Sequence, residues 1–263
     1  MFLEEKKMLR TMCLVLATLA ILTALVMTHN SAKASPDMQT ITLNTGYNHA
    51  NQSAFPIGAL DAFWTVTQDP IAGTSEPRSA NAINKHAAWQ PAQQPPNSQW
   101  ISYTGNGATG IKQGPYIYQK CFCLTKALWQ NKDAIQQSTL DLSIRADDNF
   151  YVGLNQMPTP GSNLLTQGGG VGAFNGPPAV LKITGNKLLQ LLKPGRNCLV
   201  VRVDDIGSVI TGFNLVGSLT TTGIDGIAQG PKVAGQFNAC SACKNSKSEF
   251  GPAVQNGLTK LSN

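Results

Sequence analysis

Side chains able to do chemistry are few in this sequence, and their spacing excludes most catalytic arrangements. Between residues 35 and 222 stand two histidines, His49 and His86, and one glutamate, Glu76, in a Pro-flanked loop. A glycosidase needs two carboxylates held several Å apart across the scissile bond, and no motif singles out a pair of aspartates. The Gly-x-Ser-x-Gly turn that presents a nucleophilic serine is absent. Gly168-Gly169-Gly170-Val171-Gly172 has no following Lys-Ser/Thr and runs into Pro177-Pro178 instead of a helix. It reads as a loop, not a phosphate cradle. Catalysis, as a hydrolase, is therefore the third-ranked reading.

Two other groups carry possible ligand chemistry. Asp147-Asp148-Asn149 offers oxygen ligands of the kind calcium takes several at a time; the same residues also suit a tight turn between strands, because their side chains satisfy turn backbone groups. Asp204-Asp205 allows the same two readings. Among the aromatics, Trp64, Trp89, Trp100, Tyr116 and Tyr118 could offer flat faces to a sugar ring. Trp64 and Trp100 fall in apolar, strand-like runs and are expected in the core. Trp89 lies in a polar, Pro-rich stretch beside His86 and Gln90. It is the expected exposed contact, with Tyr116 and Tyr118 as further ligand-binding candidates.

The cysteines must be read with the N-terminus. Lys6, Lys7 and Arg10 precede an uncharged apolar run from Met12 to Met27, and Ala32-Lys33-Ala34 then gives a small-x-small cleavage pattern. Residues 1–34 read as a signal peptide, so the mature chain is expected outside the cytoplasm, where disulfides persist. Cys121, Cys123, Cys198, Cys240 and Cys243 remain after cleavage, and their odd number implies a free thiol or a bond to another molecule. Phe122 and Leu124 define one face of a strand, so Cys121 and Cys123 point to the other. Two residues apart on a strand, their Cβ atoms lie nearly 7 Å from each other, beyond the roughly 3.5–4.5 Å of a disulfide. Each needs another partner. Cys198 likewise opposes Leu199, Val201 and Val203. Cys240-x-x-Cys243 could close on itself, hold a metal, or clip the C-terminal segment to one or two of Cys121, Cys123 and Cys198. A zinc site would need four ligands, and no second Cys-x-x-Cys is present.

The elements that position these residues are mostly strands. Only 13% of the residues are charged, while Gly (25) and Pro (15) are plentiful. That composition disfavours helical bundles. Short apolar runs alternate with Gly/Pro/Asn/Ser clusters, and the pattern predicts strands over 39–43, 62–67, 116–124, 140–146, 150–154, 179–183, 198–203 and 213–219. Asn186 to Lys193, with four leucines before Pro194-Gly195, is the one expected helix. The fold class is all-β: a two-sheet antiparallel β-sandwich over 35–222 with one short helix. From Gly223 the pattern fades, and 223–263 reads as a flexible Cys-x-x-Cys tail. The formal charge of +6 is scattered and not gathered in one run, so nucleic acid is not an expected partner.

Several segments in order then carry a resemblance. They are Phe63-Trp64-Thr65-Val66, Asn97-Ser98-Gln99-Trp100-Ile101-Ser102, Tyr116-x-Tyr118 with Phe122-x-Leu124, Ala146-Asp147-Asp148-Asn149 and Gly153-Leu154-Asn155. Leu192-x-x-Gly195-x-Asn197-x-Leu199 and Thr211-Gly212-Phe213 complete the set. Together they resemble the secreted, galactose-binding-like β-sandwich domains of bacterial envelope proteins, including PEP-CTERM-sorted ones. The C-terminus departs from that pattern in lacking the Pro-Glu-Pro, apolar helix and basic cluster. The resemblance implies an eight-stranded jelly roll and a non-catalytic module contacting glycans or another cell-surface polymer. The expected location is secreted, periplasmic or at the bacterial cell surface, with no stable membrane insertion once the leader is removed. The competing expectation is a structural envelope or extracellular-matrix component, cross-linked through cysteines into a disulfide-linked oligomer.

Overall fold

The computed structural model describes residues 36–70, 77–84, 86–90, 98–108, 111–170 and 173–227. The leader, Glu76, Cys240 and Cys243 lie outside the described residues. Strand β1 (Gln39–Thr42) is followed by the short β2 (Tyr47–Asn48) and β3 (Ser53–Ala54), then β4 (Leu60–Gln68), β5 (Arg78–Ile83), β6 (Trp100–Ser102) and β7 (Gly114–Leu124). Two short helices follow, α1 (Ala127–Gln130) and α2 (Lys132–Gln137). Next are β8 (Thr139–Asp147), β9 (Asn149–Leu154), β10 (Thr166–Gly168), a 3-10 turn at Ala173–Asn175, and β11 (Ala179–Thr184). Helix α3 (Gly185–Leu189), β12 (Gly195–Asp205), β13 (Gly212–Thr221) and β14 (Ile224–Ile227) complete the elements of the described residues.

The fold is all-β and antiparallel, with eight strands on the segments whose patterns predict them. In β8, Leu140, Leu142, Ile144 and Ala146 are buried while Asp141, Ser143 and Arg145 between them are half-buried. That is the period-two pattern of a strand with one face inward. In β12, Leu199, Val201 and Val203 point to the core by the same rule.

The strands form one hydrogen-bonded path, β10-β9-β12-β7-β4-β5-β6-β13-β8-β11, with β1 beside β13 and β14 beside β7. The sequence predicts two separate sheets; the ladder instead runs through, because β6 pairs with β5 on one side and with β13 on the other. The end strands β10 and β11 come into contact, so the sheet is barrel-like. Strand β14 pairs with β7, so the sheet includes residues past 222.

The interior is filled from opposite walls. The Phe213 ring of β13 meets Trp64 of β4 at 5.2 Å and Tyr118 of β7 at 4.9 Å between centroids. All three side chains are fully buried, and burial of each large apolar side chain is worth about 1.5–3 kcal/mol.

The helices differ from the single one expected. Asn131 caps α2, its Oδ1 accepting from the backbone N–H of Asp133 and Ala134 at 3.0 and 3.2 Å. Helix α3 is shorter than the predicted 186–193, because the Leu188 carbonyl accepts from both Leu191 and Leu192 and closes the last turn. Among the described residues no helix is long and apolar enough to cross a membrane.

Candidate binding surface

The outward face of β9, β12 and β7 carries a candidate surface for a ligand among the described residues. Its geometry follows from register. Gln167 of β10 stands opposite Tyr151 of β9, Tyr151 opposite Arg202 of β12, and Arg202 opposite Ile117 of β7. Their neighbours Phe150, Val152, Val201 and Val203 are buried in the core, so the alternation turns Tyr151 and Arg202 outward. Asn149 and Asp204, opposite each other one step along, share this face.

Arg202 and Asp204 form a two-pronged pair, Nε to Oδ1 at 2.6 Å and an Nη to Oδ2 at 2.9 Å. Both side chains keep about a fifth of their surface exposed. The Arg202 guanidinium lies 5.5 Å from the centre of the Tyr151 ring. Tyr151 also borders an open depression of about 330 Å³, lined by Pro160, Gly161, Gln167 and Gly168.

One wall of the depression comes from the segment joining β9 to β10. Thr159 and Ser162 exchange backbone hydrogen bonds at 3.1 and 2.9 Å around Pro160-Gly161, and Gly161 takes φ +78°, which glycine adopts without steric cost. The segment is fastened at its start by Asn155. Its Nδ2 donates to the Leu191 carbonyl and to Asn197 Oδ1, and its Oδ1 accepts from the Cys198 N–H. The return of the chain lies tight on Gly153, where a Cβ would meet the Gln156 carbonyl at 2.6 Å.

The aromatic candidates from the sequence lie elsewhere. Trp89, expected exposed, is buried: its ring stacks on Trp100 at 4.3 Å and its Nε1–H donates to Asp147 Oδ2 at 2.8 Å. Tyr116 and Tyr118 are fully buried on the inward side of β7. Their alternation with Ile117 and Gln119 puts them in the core, so none of the three offers a free ring face to a sugar. Trp64 and Trp100 are also buried.

Of Asp147, Asp148 and Asn149, the two carboxyls meet in a side-chain hydrogen bond, whereas Asn149 stands apart from them. Asp147 turns to Trp89, Asp148 Oδ2 accepts from the Ile206 N–H at 2.8 Å, and Asn149 faces outward beside Asp204. Burial, then the hydrogen bond with Asp148, pushes the Asp147 carboxyl up to about 8. Asp205 is raised too, first by burial. Among the described residues no group of three His, Cys, Asp or Glu is gathered to hold a metal.

Cys121 and Cys198 are bonded to each other across directly opposed positions of β7 and β12. With Ile117, Val200 and Met157 they make a small apolar cluster on the outward face. Cys123 is also a disulfide cysteine. Since Cys121 and Cys198 hold each other, only Cys123 of the three remains for the clip considered from the sequence.

A second polar group lies on the inward side of β7, where no motif marks a site. Lys120 is fully buried, and its Nζ donates to the Asn44 carbonyl at 3.1 Å and lies 3.2 Å from His49 Nε2. Burial lowers its pKa to about 8, against the opposing charge of Asp61. Burial and then the Lys120 charge lower His49 to about 3. Asp61 is raised by burial despite Lys120 and the backbone N–H groups of Phe63, Gly46 and Trp64 that it accepts from.

No protein-family model matches the chain, and no curated protein matches it. Among solved structures the chain is similar to a β-glucuronidase of Ruminococcus gnavus, with a TM-score of 0.34 and 11% identity over 70% of this chain and 28% of that one. It is also similar to a β-glucuronidase from an uncultured Clostridium sp., with a TM-score of 0.33 and 14% identity over 70% of this chain and 29% of that one. The chain thus spans less than a third of these proteins. Likeness at this level assigns neither activity nor ligand.

Proposed function

We propose that this chain is a secreted, non-catalytic module of the galactose-binding-like, jelly-roll kind that contacts glycans at the cell surface. One observation carries the reading: the half-buried Tyr151 ring borders an open depression and stands in one row with Gln167 and Arg202. Sugar sites combine such a ring with a few fixed polar groups. The Cys121–Cys198 disulfide supports an oxidising compartment, in line with the leader pattern. The ladder supports a jelly roll opened at β6, with β4, β5, β7, β9, β10 and β12 on one side and β8, β11 and β13 on the other.

Retention of the purified protein on immobilised neutral and acidic polysaccharides, with and without calcium, tests this function. Retention lost in Tyr151→Ala supports it; no retention on any of them overturns it. The second reading, a structural component cross-linked through cysteines, rests on the odd number of cysteines that leader cleavage would leave. Size-exclusion chromatography with and without reductant separates the two, because a multimer that reductant dissolves belongs to the second.

A further inference from the structure

We infer that the Tyr151 surface selects neutral sugars that present a vicinal diol, held by the Arg202–Asp204 pair while the pyranose ring lies on Tyr151. The inference rests on the glycan-contacting reading and adds the class of sugar. Arg202 and Asp204 are two residues apart on the outward side of β12 and already fix each other through two hydrogen bonds. Their geometry is therefore set before a ligand arrives, which spares the cost of ordering two long side chains on binding. A guanidinium has five N–H donors and a carboxylate about four acceptor positions. After the mutual bonds, both retain capacity, and both remain partly exposed.

A vicinal diol complements this pair. Each hydroxyl both donates and accepts, so one can accept from Arg202 while its neighbour donates to Asp204. The pair is formally neutral, and the other polar groups in the row, Gln167 and Asn149, are amides. A uronate or sulfated sugar would bring its anion against the Asp204 carboxylate with the Arg202 charge already engaged. Like charges at such range disfavour binding. The Arg202 guanidinium lies over the Tyr151 ring, 5.5 Å from its centre, so the ring and the pair adjoin on one face.

The test uses the whole purified protein and three polysaccharides: a 1,4-linked β-galactan, a 1,3-linked β-galactan and a polygalacturonate. The two galactans keep the same neutral pyranose ring, but the 1,4-linked chain leaves the adjacent hydroxyls at C2 and C3 free, whereas the 1,3-linked chain leaves no two adjacent ring hydroxyls. The expected result is retention on the 1,4-linked galactan, weaker by about ten- to hundredfold on the 1,3-linked one and in Asp204→Asn, with little retention on polygalacturonate. Equal retention on the two galactans, or a preference for polygalacturonate, overturns the diol inference and leaves the glycan reading standing. Retention on none of these, nor on a wider panel of neutral and acidic polysaccharides, removes both. The linkage comparison needs no variant, so a folding defect in Asp204→Asn cannot obscure the outcome.

Discussion

The Nζ of Lys120 lies 3.2 Å from Nε2 of His49, and among the described residues neither group has a carboxylate within ion-pair distance. A buried lysine so placed fits a neutral imidazole that accepts at Nε2. Both groups have folded-state pKa values below their unfolded ones, so in both cases the unfolded chain binds the proton more readily. Stability then rises with pH wherever the unfolded state holds more protons. For His49 that window runs from about 3 to 6.5, and its contribution is lost as pH falls through it. The raised carboxyls of Asp147, Asp61 and Asp205 act in the opposite sense, because they hold protons in the folded state that the unfolded chain has released. The His49 share is therefore read as a difference: the urea midpoint of the native sequence minus that of His49→Gln should shrink as pH falls from 6.5 to 3.

For Lys120 the window lies between about 8 and 10.5, and stability is expected to rise with pH across it. The Lys120→Met variant, which keeps the length of the side chain without the charge, should abolish that rise. A midpoint that falls between pH 8 and 10 in the native sequence would contradict the assignment.

Trp89→Phe removes the indole donor to Asp147 while keeping an aromatic ring against Trp100. The buried Asp147 carboxyl then loses a partner 2.8 Å away. A cost of about 1–3 kcal/mol is expected in the denaturant midpoint, whereas Tyr151→Phe, with its ring half-exposed, should stay within about 0.5 kcal/mol.

The Cys121–Cys198 bond closes a loop across a sequence separation of 77. Replacing both by alanine is expected to cost about 2–5 kcal/mol, read from urea denaturation. Non-reducing peptide mapping should recover Cys121 and Cys198 in one linked pair, with Cys123 joined to neither. A Cys121–Cys123 peptide would contradict the register.

Gly153→Ala places a methyl where the Gln156 carbonyl stands 2.6 Å away. The segment over 155–165 must lift, at an expected cost of about 1–3 kcal/mol. Since that segment supplies Pro160 and Gly161 to the depression, polysaccharide retention should fall with it, which affinity electrophoresis would measure.

Sequence alternation made most of the fold legible because eight strands carry bulky inward residues at every second position. β5 escaped it. Its buried residues include Ala80 and Ala82, small enough that the period is hard to see, and β14 is interrupted by Gly226 and a register shift. The aromatic candidates misled for a tertiary reason. Trp89 sits in polar sequence, yet the nearby Trp100 and the distant Asp147, 58 residues on, enclose it. Tyr151 was legible in principle: its position between Phe150 and Val152 already turns it outward. What hid it was the lack of any local sign that Arg202, about fifty residues on, would stand opposite. Lys120 hid in the same way, in phase with Tyr118 and Phe122 on a face that is otherwise apolar.

The path of strands is thinnest at β6, where Phe213 opposite Ile101 is the sole register pair with β13. Side chains reinforce that junction: Ser102 Oγ donates to the Thr211 carbonyl at 2.6 Å, and Asn214 Nδ2 reaches Ser98 Oγ at 3.1 Å. The seam between the two halves is therefore stitched by hydroxyls and amides more than by backbone ladder. Breathing should begin there, with the amides of residues 100–102 exchanging with solvent before those of β7 and β12, whose continuous pairing and covalent staple keep the ligand face rigid while the opposite side yields.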